Sequence, residues 1–391
     1  MGSSREAVRH GRRDTWGVAT AVMALALIVF ACSPSTPKTG ATRSERASSS
    51  PEPSPLVDPD DLLPGGPPPD GIPPIDHPRF VPAADVRFLA PAEPVLSVEI
   101  HGHAKAYPLR VMVWHEIVND TLGGTPITVT YCPLCNTGIT FVRPVIGGKL
   151  LDFGTSGKLY NSNLVMYDRQ TGSYWPQALG QAVTGPLTGT KLRLVATQIL
   201  SWRDWRSAYP GGLVLSEHTG FARDYGTNPY GGYDGSSVPF LFSGKEDRRL
   251  PLLTYVLGVV VGDDVVAFPF PALERASVDG QSAVNTVIGG EPVVVFWRAG
   301  TGSAVNASSI PDSKDIGAAV AFGRRVAGRT LTFVATVDGT ADRQTGSRWD
   351  ITGRATSGPL TGKQLHPVLA TDSFWFDWAA FHPETRIYGG H

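Results

Sequence analysis

Two blocks of sequence occur twice in this chain, and that repetition limits the fold more than any other feature. Asp168-Arg169-Gln170-Thr171-Gly172-Ser173-x-Trp175 returns as Asp342-Arg343-Gln344-Thr345-Gly346-Ser347-x-Trp349, and Gly185-Pro186-Leu187-Thr188-Gly189 returns as Gly358-Pro359-Leu360-Thr361-Gly362. Asp204-Trp205 matches Asp377-Trp378, Ala106-Tyr107-Pro108 matches Ala267-Phe268-Pro269, and Pro126-Ile127-Thr128-Val129 matches Pro292-Val293-Val294-Val295. Self-similarity on this scale means two copies of one structural unit. Short β-branched runs at 95–100, 127–131, 293–297 and 331–334 are separated by Gly and Pro, which is the texture of strands and turns. The spacing predicts one amphipathic helix over 110–119 and short twin helices over 202–208 and 375–381. The expected fold is α+β, mostly β, with two tandem pseudo-equivalent halves packed together.

The domain boundaries follow from composition. Arg5, Arg9, Arg12 and Arg13 precede an uncharged apolar run that ends Val29-Phe30-Ala31-Cys32. A basic start, an apolar stretch and a small residue before Cys read as a secretory signal over 1–32. The ending resembles the lipobox of bacterial lipoproteins, with Cys32 as the acylated residue. An uncleaved anchor is the alternative, and it places the bulk of the chain on the same side of the membrane. Residues 33–79 are dense in Pro, Ser and Gly and are expected to form a disordered tether. The first copy then spans 80–215, a Tyr/Gly-rich connector 216–255, and a second, degenerate copy 256–391. With 34 Lys+Arg against 35 Asp+Glu the chain lacks the basic excess of a nucleic-acid binder. Three Cys in 391 residues are too few for a disulfide scaffold.

The repeat also sorts residues by role. Those present in both copies serve the common fold, which assigns Asp168, Asp342 and the Trp pairs 175/349 and 205/378 to structure. Those present in one copy are candidates for chemistry. Tyr131-Cys132-Pro133-Leu134-Cys135-Asn136 falls opposite Trp297-Arg298-Ala299-Gly300-Thr301-Gly302, so both Cys are lost from the second copy. His115 and Glu116 fall opposite Ala276 and Ser277, and His101 and His103 opposite Gly262 and Asp264. The stretch 154–163 is longer than its counterpart and supplies a polar candidate ligand loop with Ser156, Tyr160, Asn161, Ser162 and Asn163.

A Cys-x-x-Cys knuckle can hold a metal, exchange with other disulfides, or form a permanent bridge. A metal shell would draw on Cys132, Cys135 and His115, with His101, His103 or Glu116 as additional ligands, and would suit zinc, copper or iron. The flanking β-runs lack the βαβ setting of a thioredoxin. No triad or paired-carboxylate pattern argues for hydrolysis, and a catalytic residue is not assignable.

Thr130-Tyr131-Cys132-Pro133-Leu134-Cys135-Asn136-Thr137, with Ser156-Gly157-x-Leu159-Tyr160-Asn161-Ser162-Asn163-Leu164 and Met166-Tyr167-Asp168-Arg169, resembles the bacterial and archaeal family called domain of unknown function 3179. The resemblance covers nearly all of 80–391. Asn136 stands where many relatives carry Gly and still permits a left-handed turn. The resemblance implies an envelope setting and names no reaction.

The sequence therefore reads as a membrane-anchored extracytoplasmic lipoprotein with a metal-binding or thiol-redox site at Cys132/Cys135. The alternative is a non-catalytic envelope binding module in which the pair is a structural disulfide. The expected partners are the membrane, through an N-terminal lipid, and a small molecule or envelope protein. Cys32→Ser should abolish incorporation of radiolabelled palmitate in cells. Undiminished labelling of the variant would contradict lipidation at Cys32.

Overall fold

A computed structural model describes residues 53–390. The expected signal, Cys32 and the tether up to residue 52 lie outside the described residues. Among the described residues strand accounts for 41% and helix for 12%, so the protein is a mostly-β α+β protein. Among the described residues no helix is long and apolar enough to cross a membrane.

One series of elements occurs in the same order in both halves. Strands Pro94–Ile100 and His103–Pro108 form a hairpin, helix α1 (Leu109–His115) follows, and a meander of Ile117–Leu122, Thr125–Cys132 and Thr137–Val142 succeeds it. A later strand, Thr197–Ser201, returns to the hairpin and leads into α2 (Trp202–Ala208). In the second half, Tyr255–Val261 and Asp264–Pro269 form the hairpin, followed by α3 (Phe270–Arg275), Gln281–Ile288, Glu291–Arg298 and Ala318–Gly323. Ala370–Phe374 returns to that hairpin and leads into α4 (Trp375–Phe381). Registers agree as well, Leu96 opposing Tyr107 as Leu257 opposes Phe268. The tight turns within the meanders use Gly123-Gly124 (φ 54° and 78°) and Gly289-Gly290 (φ 57° and 78°), a conformation that costs other residues steric strain.

The repeated Asp-Arg-Gln-Thr-Gly-Ser block builds the same turn twice. Asp168 accepts from Thr171 N (2.6 Å), Thr171 Oγ1 (2.8 Å) and Trp175 Nε1 (3.0 Å). Asp342 accepts from Thr345 N (2.6 Å), Thr345 Oγ1 (2.8 Å) and Trp349 Nε1 (3.1 Å). Both aspartates are buried, so their role is to satisfy donors that have no access to water. Trp175, Trp205, Trp349 and Trp378 are all buried core aromatics.

The halves share one interior. Leu96, Tyr131 and Met166 pack in the same apolar cluster as Leu257, Val295 and Phe374. The strands leading into α2 and α4 touch each other, and each also touches the other half's meander. That seam places α4 against the end of Thr125–Cys132.

Three expectations are corrected here. The helix expected over 110–119 stops at His115, because Glu116 adopts φ 57° and the β-branched Ile117 and Val118 enter a strand paired with Thr125–Cys132. The expected loop over 154–163 is a hairpin, Phe153–Tyr160 against Asn163–Asp168, in which only Asn161 and Ser162 form the turn. The folded part also begins earlier than Phe80. Leu62 and Ile75 are buried, and Leu63–Pro64 pairs with Phe153–Tyr160.

Asp168→Ala and Asp342→Ala should each cost about 2–4 kcal/mol, since each strands several buried donors. Denaturant unfolding measures this, and a loss below about 0.5 kcal/mol at either site would contradict the assignment.

Candidate functional site

The strand Thr125–Cys132 ends in a knuckle. Cys135 N donates to Cys132 O (3.2 Å), Asn136 N donates to Pro133 O (3.4 Å), and Asn136 closes the turn at φ 54°. Asn tolerates this left-handed backbone better than most residues. Its side-chain oxygen accepts from Tyr131 OH at 3.0 Å, which locks the turn to the strand. Cys132 and Cys135 are free thiols, 2% and 0% exposed.

Both sulfurs point at one carbonyl. Ser162 O lies 3.4 Å from Cys135 Sγ and 3.9 Å from Cys132 Sγ. Ser162 sits in the turn of the long first-half hairpin, at φ 69°. The corresponding second-half hairpin, Phe333–Thr336 against Gly339–Asp342, is shorter. The extra residues of the first copy thus carry a backbone acceptor to the thiols.

The remaining partner comes from the other half. Asp377, in the first turn of α4, lies near enough to Cys135 for its negative charge to raise the thiol. Asn163 Nδ2 donates to its Oδ1 (3.0 Å) and Ser373 Oγ to its Oδ2 (2.9 Å). Burial pushes the Asp377 carboxyl up to about 6, and the donors Cys135, Ser373 and Asn163 hold it down against that rise. The Cys135 thiol is driven well up by burial, by its hydrogen bond to Cys132 and by the negative charge of Asp377. Cys135 therefore keeps its proton at rest, aimed at Ser162 O and beside the Asp377 carboxylate.

Asp377 has a twin in the first half, so a rule that gives shared residues to the fold passes over it. Asp204 occupies the same place in α2 and pairs with Arg298 at 2.9 Å, the residue that falls opposite Cys132. Each aspartate reaches across to the other half's knuckle. The chemistry each meets is different, an arginine at one knuckle and a dithiol at the other.

The other expected ligands do not gather around the thiols. His115 is buried with both ring nitrogens engaged, Nδ1 with Pro73 O (2.6 Å) and Nε2 with Tyr225 OH (2.7 Å). Burial holds its imidazole below the usual range. His101 lies in an exposed turn at φ 53° with Nδ1 near Gly123 O (3.2 Å), and His103 opens the next strand, so the two do not share a strand face. Ser156 Oγ serves its own hairpin by donating to Val165 O, and Asn161 accepts from Ser243. Tyr160 packs against Phe381. Glu116 lies instead on the wall of a cavity of about 270 Å³ that Leu134 of the knuckle also lines, with Tyr230 OH donating to its Oε1 (3.2 Å). Among the described residues no group of three or more His, Cys, Asp or Glu is arranged to hold a metal ion.

The fold and site thus define a mostly-β protein with a buried dithiol set against a carboxylate. A family model described as a protein of unknown function (DUF3179) matches residues 69–385, and the chain belongs to that family. No curated protein and no solved structure matches.

Asp372, on the strand that precedes α4, is buried, and that burial pushes its carboxyl from the ordinary 3.8 up to about 8. The folded state then holds a proton that the unfolded chain has already released. Its contribution to stability falls as pH rises from about 4 through 8. Asp372→Asn should flatten that decline by a few kcal/mol in denaturant unfolding at several pH values. An unchanged pH slope would show that the carboxyl is ionised in the fold.

Proposed function

We propose that this is an extracytoplasmic, lipid-anchored protein whose first half performs thiol–disulfide exchange at Cys132 and Cys135. The observation that carries the reading is the Asp377 carboxylate set against the buried Cys135 thiol. A buried thiol raised well above its ordinary value needs a base to ionise it before it can attack.

In this reading Cys132, the first cysteine of the knuckle, gives up its proton and attacks one sulfur of a partner disulfide. The partner's S–S bond breaks, a mixed disulfide forms, and one partner thiolate departs and takes up a proton. Asp377 then removes the Cys135 proton, and Cys135 attacks Cys132 Sγ. The mixed disulfide breaks, the second partner thiol leaves with a proton, and Cys132–Cys135 remains as a disulfide. Two electrons pass from the protein dithiol to the partner, and the reverse sequence oxidises a partner dithiol.

The division of labour fits an origin by duplication. The second copy lost its own cysteines, and through α4 it supplies the base to the first. An envelope location fits as well, since disulfides form and persist there.

The test is stopped-flow oxidation of the reduced protein by a small disulfide. Asp377→Asn should slow closure of the Cys132–Cys135 bond about 10²-fold or more, and Cys135→Ser should trap the mixed disulfide. An unaffected rate in Asp377→Asn would contradict the role of the base. Near-stoichiometric zinc, copper or iron that disappears in Cys132→Ser would assign the pair to metal binding instead. A bridge that resists reduction below about −300 mV would make it structural.

A further inference from the structure

We propose that the cavity beside the knuckle is a binding site for a small apolar amine, held as its ammonium ion by Glu116. The cavity measures about 270 Å³ and its lining includes Ile72, Leu134, Leu159, Leu164, Tyr230 and Phe240. Such a surface recognises an apolar body of modest size.

Glu116 is the acidic residue on this wall, and it is 7% exposed. A carboxylate buried among apolar side chains is costly unless a cation meets it. Tyr230 OH donates to Oε1 at 3.2 Å, while Oε2 takes no hydrogen bond from the described residues. Lys158 also lines the cavity, but its Nζ is engaged with Leu62 O at 3.1 Å. Thr155 is likewise occupied, donating to Ile72 O at 2.7 Å. Glu116 Oε2 thus faces the cavity without a protein partner among the described residues, and Tyr230 and Phe240 of the same lining offer aromatic faces that attract cations as well.

The backbone is a separate observation. Glu116 follows α1 with φ 57° and ψ −31°, outside the regions that L-residues favour. The residue after α3 in the second half, Ala276, has an ordinary φ −84° and ψ 1°. Strain of this kind persists where surrounding contacts enforce it, and it marks binding sites. Burial also raises the Glu116 carboxyl to about 7, so an arriving ammonium would find a group ready to ionise.

The probe is benzylamine, titrated by calorimetry at neutral pH into the whole protein, with benzyl alcohol as the neutral isostere. Benzylamine should bind at least about tenfold more tightly than the alcohol, and Glu116→Gln should erase that preference. Equal affinity for the two ligands, or an unchanged preference in Glu116→Gln, would overturn the proposal. Should Glu116→Gln fail to fold, Phe240→Ala serves as the second variant, because Phe240 is half exposed at the cavity. It should weaken benzylamine binding, and undiminished affinity would place the ligand elsewhere and overturn the proposal. The titration involves no thiol chemistry, so its outcome is independent of the exchange reaction.

Discussion

A carboxylate from one half of the molecule meets a thiol from the other, and the seam between the halves exists around that meeting. Neither Asp377 nor Cys135 has access to water. Each is tolerable because its neighbours satisfy it, Asn163 and Ser373 for the carboxylate and Ser162 O for the thiol. The contact requires α4 to lie against the end of Thr125–Cys132, and that in turn requires the strands leading into α2 and α4 to pack across the seam. The shared apolar cluster of Leu96, Tyr131, Leu257 and Phe374 holds this arrangement in place.

The same geometry is used twice with different chemistry. Asp204 meets Arg298 where Asp377 meets the dithiol. An ion pair at one knuckle is self-sufficient, since charge answers charge. Both aspartates also accept from a serine, Ser201 Oγ at 2.8 Å and Ser373 Oγ at 2.9 Å, but where Asp204 has Arg298, Asp377 has the neutral Asn163 amide, and burial still raises its carboxyl. The long first-half hairpin completes the asymmetry, bringing both Ser162 O and Asn163 to the site from a single turn.

Much of the scaffold was legible in the sequence. The helices at Trp202–Ala208 and Trp375–Phe381 were expected as twins within the repeat, and the strands around the knuckle follow from β-branched runs broken by Gly and Pro. The structural role of Asp168 and Asp342 followed from their repetition, and their matching hydrogen bonds bear it out. The end of α1 did not follow, because His115 and Glu116 sit in an apolar run that suits helix or strand equally, and a positive φ at Glu116 has no sequence signal. The stretch 154–163 looked like a loop because it is polar and contains Gly. Gly157, at φ 73°, instead serves the register shift between Thr155 and Lys158. The packed segment before Phe80 was hidden by its Pro content, since chain rich in Pro can still add a short edge strand. His115 illustrates the general difficulty. It is absent from the second copy, yet it binds Pro73 and Tyr225 rather than the thiols.

The most direct test of the account is to follow the Asp377 carboxyl by ¹³C NMR as pH is varied, in the dithiol and disulfide forms. In the dithiol form the midpoint should lie near 6, because the Cys135 thiol donates to the carboxylate and opposes the effect of burial. Oxidation removes that donor, so the midpoint should move upward in the disulfide form. Identical midpoints in the two forms would show that Asp377 does not sense the thiol, and would contradict its role as the base.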